Sequence, residues 1–348
     1  MNDSPRGSPV QLVRAPAHIG VLGRALRRVS SSVALLSLAL AAVACGTGSS
    51  AVLPSGRPLT VAVVPGIDTV PLMVGVKDGL FHQHGIAVSV RDYPSAAAAY
   101  TALNRGTVDV AAGDYAAFFY AISLNQARLK FIMDGYDAAP GAMQVLTLPT
   151  SGINSPQDLA GKAVATPDAE VAPYQGNFPY NIQTLATEAV LQSDGVSPTE
   201  ISWREMPATR MINALKNHVV SAILVTEPLI VEAETQLGAV EVLDSCSGVT
   251  ANLPLSGYFS TSAFASQHSA ALLAFRTALI AAQADAQQRG NVQPVLRGEG
   301  MTPLEAALAN VGQYPALLNV GQVQRVADLM YDSGMITNAV SVPSLLLK

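Results

Sequence analysis

Short apolar runs alternate along most of the chain with segments whose apolar positions recur every three or four residues. The run Leu59–Val64 is typical of a buried strand and ends at Pro65 and Gly66, and apolar residues then repeat at helical spacing over 71–80. Such strand–helix–strand alternation predicts a parallel sheet covered by helices. The predicted strands are 59–64, 86–90, 108–112, 163–166, 222–225, 240–243 and 258–261.

The same alternation restarts near residue 150, which predicts two similar β/α halves. Ser155 and Pro156 are typical N-cap and N1 residues of a short helix before the strand 163–166. After the last predicted strand the pattern becomes helical. One long helix is expected from about Ser266 to Arg289, ended by Gly290. The sequence Thr302–Glu305 forms a capping box with proline at N1.

The first 44 residues have the pattern of an export signal. Arg24, Arg27 and Arg28 precede an apolar stretch, 33–44, that is too short to span a bilayer but fits a signal-peptide core. The following sequence, Ala42-Val43-Ala44-Cys45-Gly46, resembles a bacterial lipobox, which implies lipidation of Cys45. Residues 45–57 would then form a flexible tether. The alternative is an ordinary secretory signal with a cysteine at this position by chance.

Composition and charge exclude other classes of protein. Hydrophobic residues make up 49% of the chain and charged residues 13%, which is not the composition of a disordered protein. The signal segment holds five Arg and one Asp, a net charge of +4. The remaining residues therefore carry −9 of the total of −5. A body this acidic is a poor binder of nucleic acid. Cys246 has no partner cysteine if Cys45 is lipidated, and we interpret it as a packed residue.

Four segments carry a resemblance to a known family. Residues 59–90, 153–167, 211–230 and 253–265 resemble, in this order, solute-binding proteins of the nitrate/sulfonate/bicarbonate type, a group that includes aliphatic-sulfonate and thiamine-pyrimidine binders. The resemblance implies an α/β, two-lobed periplasmic-binding-protein-like fold of type 2, each lobe a mostly parallel sheet flanked by helices. The expected division is 1–44 signal peptide, 45–57 tether, 58–149 with 251–348 lobe 1, and 150–250 lobe 2.

The resemblance places the solute at loops that follow the strands, where ligands of open α/β sheets lie. The acids and amides in these loops also stand where helix N-caps belong, so each is either a ligand contact or only a cap. The aromatic residues either stack on a ring or pack. The candidate ligand-binding residues are Asp68, Thr69, Ser95, Asp114, Tyr115, Asp168, Gln175, Asn177, Phe178 and Glu227.

These candidate loops contain acids and no Lys or Arg. A carboxylate that faces the cleft would repel an anion. We therefore expect a neutral or cationic nitrogen compound rather than a small inorganic anion. A ring that stacks on Phe178 or Tyr115 is one form of such a compound. If all the acids are caps turned away, helix N-termini remain free for a sulfonate.

By resemblance, the expected function is that of a monomeric, lipid-anchored receptor on the extracytoplasmic face of the cell membrane. It would deliver a small organic solute to the permease and ATPase subunits of an ABC importer, without a cofactor, a metal or nucleic acid. Two alternatives remain. One is an enzyme of the pyrimidine-synthesis branch of this fold, although the cysteine-rich segment of that branch is missing. The other is a solute sensor that acts through a partner.

Overall fold

In a computed structural model, the described residues are Leu53, 56–125, 128–167 and 181–347. They form ten strands: β1 (Leu59–Val63), β2 (Val88–Asp92), β3 (Val110–Asp114), β4 (Leu129–Asp137), β5 (Met143–Thr147), β6 (Ala163–Thr166), β7 (Ser202–Glu205), β8 (Ala222–Thr226), β9 (Val240–Asp244) and β10 (Pro254–Thr261). None of the helices in these ranges is long and apolar enough to cross a membrane.

The helices of the described residues lie between and after these strands. They are α1 (Val70–Lys77), α2 (Leu80–Gln83), α3 (Ala96–Asn104), α4 (Tyr115–Ser123), α5 (Ile182–Ser193), α6 (Ala208–Lys216), α7 (Leu229–Leu237), α8 (Ser262–Gln267), α9 (Ser269–Asp285), α10 (Arg289–Gly298), α11 (Pro303–Leu308), α12 (Val320–Asp332) and α13 (Val342–Leu345).

The strands form two five-stranded sheets, with the orders β2-β1-β3-β10-β4 and β7-β6-β8-β5-β9. In the first sheet β1 pairs in parallel with β2 and β3, whereas β10 runs antiparallel to β3 and β4. In the second, β6 is parallel to β7 and β8, and β5 is antiparallel to β8 and β9. Both sheets are therefore mixed. Four strands of each sheet point the same way and one is reversed, which confirms the two-lobed α/β fold.

The reversed strand of each sheet follows directly after the chain has crossed from the other sheet. Because β5 pairs within the second sheet, the first crossing lies at 138–142 and not at the expected boundary, 149/150. The return crossing lies at 245–253, around the expected 250/251. The two crossings lie side by side, since the Ala138 N–H donates to the Leu253 carbonyl at 2.8 Å.

The strands β4, β5 and β7 and the break in the long C-terminal helix were not predicted. Within β4, Asp134-Gly135 reads as a turn, yet Asp134 is fully buried and accepts a hydrogen bond from the Tyr115 hydroxyl. The predicted helix 266–289 is instead three helices. The helix α9 ends at Asp285, and Gly290 is the second residue of α10 rather than a C-cap.

Aromatic residues fill both faces of the first sheet. On one face Phe81 of α2 and Phe275 of α9 stack with ring centroids 5.4 Å apart. On the other face Phe118 of α4 stacks on Phe259 of β10 at 4.2 Å. The C-terminal helices thereby complete the first lobe, and they leave the carboxyl ends of the parallel strands uncovered.

Candidate functional site

A cleft of about 990 Å³ lies between the two sheets and is lined by residues of both. The first lobe contributes the loop after β1, the end of β3 and the start of β10. The second lobe contributes Pro167 after β6, residues 224–229 at the end of β8, and the first residues of α5 and α6. The cleft therefore lies at the carboxyl ends of parallel strands, where helices begin, as expected for a ligand site of open α/β sheets.

The structure separates the predicted site residues into three groups. Asp68, Ser95, Asp114 and Glu227 line the cleft. Thr69 and Tyr115 do not line it. Five predicted residues lie outside the described part of the chain: Cys45, Asp168, Gln175, Asn177 and Phe178.

Thr69 and Tyr115 are corrections to the predicted site. The Thr69 hydroxyl donates to the Gly66 carbonyl at 3.0 Å, within its own turn. Tyr115 is the first residue of α4 and is fully buried against Phe131 and Phe259 in the core of the first lobe. Adjacent positions at the start of a helix point in different directions, so Asp114 faces the cleft whereas Tyr115 faces the sheet.

Asp114 connects the two lobes. Its Oδ1 accepts a hydrogen bond from the Ala117 N–H at 3.2 Å, as the N-cap of α4. Its Oδ2 accepts from the Ile182 N–H at 3.3 Å, at the first residue of α5 in the second lobe. Burial raises the pKa of Asp114 to about 6 against these bonds, and the charge of Asp68 adds to the increase.

Glu227 makes a second connection between the lobes. It is 5% exposed, and its Oε1 accepts from the Asn310 N–H at 2.8 Å, on the segment after α11. Its Oε2 accepts from the Val231 N–H at 3.3 Å, in the first turn of α7. Burial raises the pKa of this carboxyl. Asn310 in turn donates its amide to the Pro140 carbonyl in the first crossing, at 2.7 Å.

Asp68 is half-buried in the wall of the cleft, in the loop after β1. Burial raises its pKa to about 6, although the Ser256 hydroxyl and the N–H groups of Asp68 and Thr69 hydrogen-bond to the carboxylate. Its charge contributes to the raised pKa values of Asp114, Tyr136 and Glu299. Asp68 is therefore the centre of the negative potential in this part of the cleft.

Several residues that line the cleft, among them Ser256 and Tyr136, were not predicted from the sequence. Ser256 lies near the start of β10, which was predicted to begin only at residue 258. Tyr136 lies in β4, which was not predicted. Tyr136 is 2% exposed, and its buried hydroxyl has no hydrogen-bond partner among the described residues. An apolar-run criterion cannot find either residue, because both lie in strands interrupted by glycine and polar residues.

Comparison with known proteins identifies the family. The sequence profile of the NMT1-like family matches residues 54–297. The chain belongs to the NMT1-like family. A sequence search of curated proteins gives no match.

Solved structures share the two-lobed fold. The periplasmic aliphatic sulphonate-binding protein SsuA of Escherichia coli superposes with a TM-score of 0.67, at 17% identity over 84% of this chain and 97% of that one. The alkanesulfonate-binding protein SsuA of Xanthomonas axonopodis pv. citri, bound to MOPS, also gives 0.67, at 16% identity over 83% and 98%. Together with the family match, these structures confirm the resemblance to solute-binding proteins of the nitrate/sulfonate type.

An enzyme is also among the similar structures. The desulfurization enzyme DSZB superposes with a TM-score of 0.63, at 13% identity over 83% of this chain and 96% of that one. The fold is therefore compatible with binding and with catalysis. The choice between the two has to be argued from the residues of the cleft.

Proposed function

We propose that this protein is an extracytoplasmic solute-binding protein that captures a small organic solute between its lobes and delivers it to an ABC importer. The observation that carries the proposal is the cleft of about 990 Å³, lined by both lobes of a fold shared with periplasmic binding proteins. This volume is at the upper end of the range for small-molecule sites, roughly 300–1,000 Å³, as expected for a cleft that narrows around its solute.

The proposed mechanism is closure of the lobes around the solute. The two crossings, 138–142 and 245–253, are the segments where a hinge would act. Hydrogen bonds across the cleft, such as Ile182 N–H to Asp114 and Asn310 N–H to Glu227, would break and form again during this motion. Such bonds have a small net free energy of about 1 kcal/mol each, so a solute can shift the equilibrium.

Binding without chemical conversion is supported by the residues of the cleft. The described lining contains no Cys or His, and neither does the sequence of residues 168–180. Cys246 is fully buried, and burial raises the pKa of its thiol to about 12, which removes the thiolate that a nucleophile needs. The carboxylates of Asp114 and Glu227 accept hydrogen bonds from backbone N–H groups, so both acids connect elements of the protein itself.

The anchor and the partners belong to the same proposal. Cys45 would carry the lipid on the extracytoplasmic face after removal of residues 1–44, with 45–57 as the tether of a monomeric body. Replacement by Cys45→Ser should leave the protein unprocessed or release it from the membrane. A variant that fractionates and migrates like the wild type would contradict the anchor, whereas the binding function would stand.

Native mass spectrometry of freshly purified protein tests the binding function. We expect a small molecule bound one to one and released unchanged. Small-angle scattering should then show a smaller radius of gyration when that molecule is added back. A molecule that changes mass during incubation would establish an enzyme instead. An unchanged scattering profile at saturation would contradict closure.

A further inference from the structure

All charged side chains among the described residues that line the cleft are acidic. Four acids line it: Asp68, Asp114, Glu227 and Glu232. Among the described residues that line it there is no Lys, Arg or His. Residues 168–180, which the structure does not describe, contain two acids and no basic residue in sequence. A basic side chain that could pair with a bound anion is therefore missing from both sets.

A cation outside the lining does not change this balance. Arg289 lies close enough for its charge to lower the pKa of Glu227, although it is the weakest of the influences on that carboxyl. The guanidinium of Arg289 donates to the carbonyls of Ala307 and Ala309, so this cation is already hydrogen-bonded within the protein.

The chain's own oxygens occupy helix N-termini at the cleft. Asp114 accepts from Ala117 of α4 and from Ile182 of α5, and the Ser95 hydroxyl accepts from Ala98 N–H at 3.2 Å in α3. These N–H groups are the donors that a bound anion would use. An anionic solute that used the N-termini of α4 or α5 would therefore have to displace a carboxylate of the protein and approach three others. The start of α6, at Ala208, has no side-chain cap, so its N–H groups remain available to an anion that does not approach the acids.

Tyr136 shows where the solute's polar group would lie. The charges of Asp68 in the first lobe and Glu227 in the second both raise the pKa of Tyr136, after burial as the main cause. Its hydroxyl is buried without a partner in the described part of the chain, and a phenol oxygen can accept an N–H donor while the ring face attracts a cation. Among the described residues there is no cluster of three or more His, Cys, Asp or Glu that could hold a metal ion. An organic cation fits these groups.

We infer that the solute carries a protonated nitrogen, such as an amine or amidine, and that Asp68 is its counter-ion, with the Tyr136 hydroxyl as a further acceptor. The inference rests on the proposed solute-binding function and adds the charge of the solute to it. Asp68 takes this role because Asp114 and Glu227 each bond to an N–H group of the opposite lobe, whereas the partners of Asp68, Ser256 and its own turn, belong to its own lobe.

A set of probes matched in size tests the charge without knowledge of the natural solute. Butylammonium, butyramide and butanesulfonate would each be added at about 10 mM, and the shift of the thermal midpoint would be measured. We expect the largest stabilisation with butylammonium and none with butanesulfonate. The Asp68→Asn variant should lose about tenfold in butylammonium affinity, as expected when the charge of a hydrogen-bonded ion pair is removed.

Two further variants keep the test decisive. Tyr136→Phe removes a hydroxyl that has no partner among the residues described, so it should fold normally and weaken butylammonium binding severalfold. Asp332→Asn changes an exposed acid at the end of α12 and should leave every probe unaffected. Stabilisation by butanesulfonate but not by butylammonium would overturn the cationic solute, and so would no response to any probe. Neither result would affect the binding function, which depends on the molecule found by mass spectrometry.

Discussion

The strand β3 has an aspartate at each end, and the protein treats the two in opposite ways. Asp109, just before the strand, accepts two N–H bonds from Arg57 at 2.6 and 2.8 Å and two bonds from Thr60, from its N–H at 2.8 Å and its hydroxyl at 2.7 Å. These bonds and the charge of Arg57 outweigh burial and lower the pKa of Asp109. Among the described residues, the partners of Asp114 at the other end are N–H groups, and burial raises its pKa to about 6.

The difference separates an acid that is paired within the fold from an acid that lines the cleft. At the amino end of β3 the chain supplies a cation, from the segment just before β1. At the carboxyl end it supplies hydrogen bonds without a full positive charge, and a second acid, Asp68, adds repulsion. Hydrogen bonds alone leave a buried carboxylate costly, because the local dielectric is low. The cleft is therefore left with a negative charge that a solute can neutralise.

We expect the largest effect on stability from replacing Asp109, the acid that is paired with Arg57. Asp109→Ala leaves the half-buried Thr60 N–H and hydroxyl without their acceptor and Arg57 without its partner. The free energy of unfolding should fall by about 2–4 kcal/mol. Urea unfolding measures the loss. A loss below about 0.5 kcal/mol would show that the pair is only a surface contact.

The pH dependence of stability tests the acids of the cleft, Asp68 and Asp114. The folded pKa values of Asp68 and Asp114, about 6, lie above the usual 3.8, so the folded state binds more protons than the unfolded chain between these values. Stability without solute should therefore fall as pH rises through this window, by about 1 kcal/mol per carboxyl between pH 5 and 8. Asp109 acts oppositely, since its stabilisation is lost as pH falls below about 4.

Thermal midpoints of the wild type and Asp68→Asn measure this pH dependence. The variant should lose less stability between pH 5 and 8, because one charge is removed and Asp114 is no longer repelled. The charged and titratable groups coupled to Asp68 are Asp114, Tyr136, Tyr258, Glu299 and Tyr314. Equal pH profiles for the two proteins would place the titrating groups elsewhere.

The smallest effect concerns a cap at the cleft and a cap away from it. Ser95→Ala removes the oxygen that accepts from Ala98 at the start of α3, and should cost about 1 kcal/mol in urea unfolding. Thr302→Ala is the matched control, because Thr302 caps α11 in the same way and does not line this cleft. Only Ser95→Ala should also increase the affinity for butanesulfonate, since it frees N–H donors inside the cleft. An equal sulfonate response from both variants would contradict the role of the capped N-termini.

The sequence alone was sufficient for features that depend on local patterns. Apolar runs predicted β1, β3, β6 and β8, and the cap residue Asp114 was placed correctly, because strand burial and helix capping involve neighbours in the chain. Since these strands are parallel, their carboxyl ends meet. Asp68, Asp114 and Glu227 were chosen because they follow strands, in loops where the family resemblance places the solute, and they line one cleft.

Only the tertiary structure decided the features that depend on distant partners. The strand β4 contains Asp134 and Gly135, yet it forms because its backbone pairs with β10 and the Tyr115 hydroxyl donates to Asp134. Without β4 the sequence could not reveal Tyr136, and without the pairing of β5 it could not locate the first crossing. Whether an acid is neutralised also depends on distance in space. Arg57 reaches Asp109 across 52 residues of sequence, whereas no basic side chain lines the described part of the cleft around Asp68.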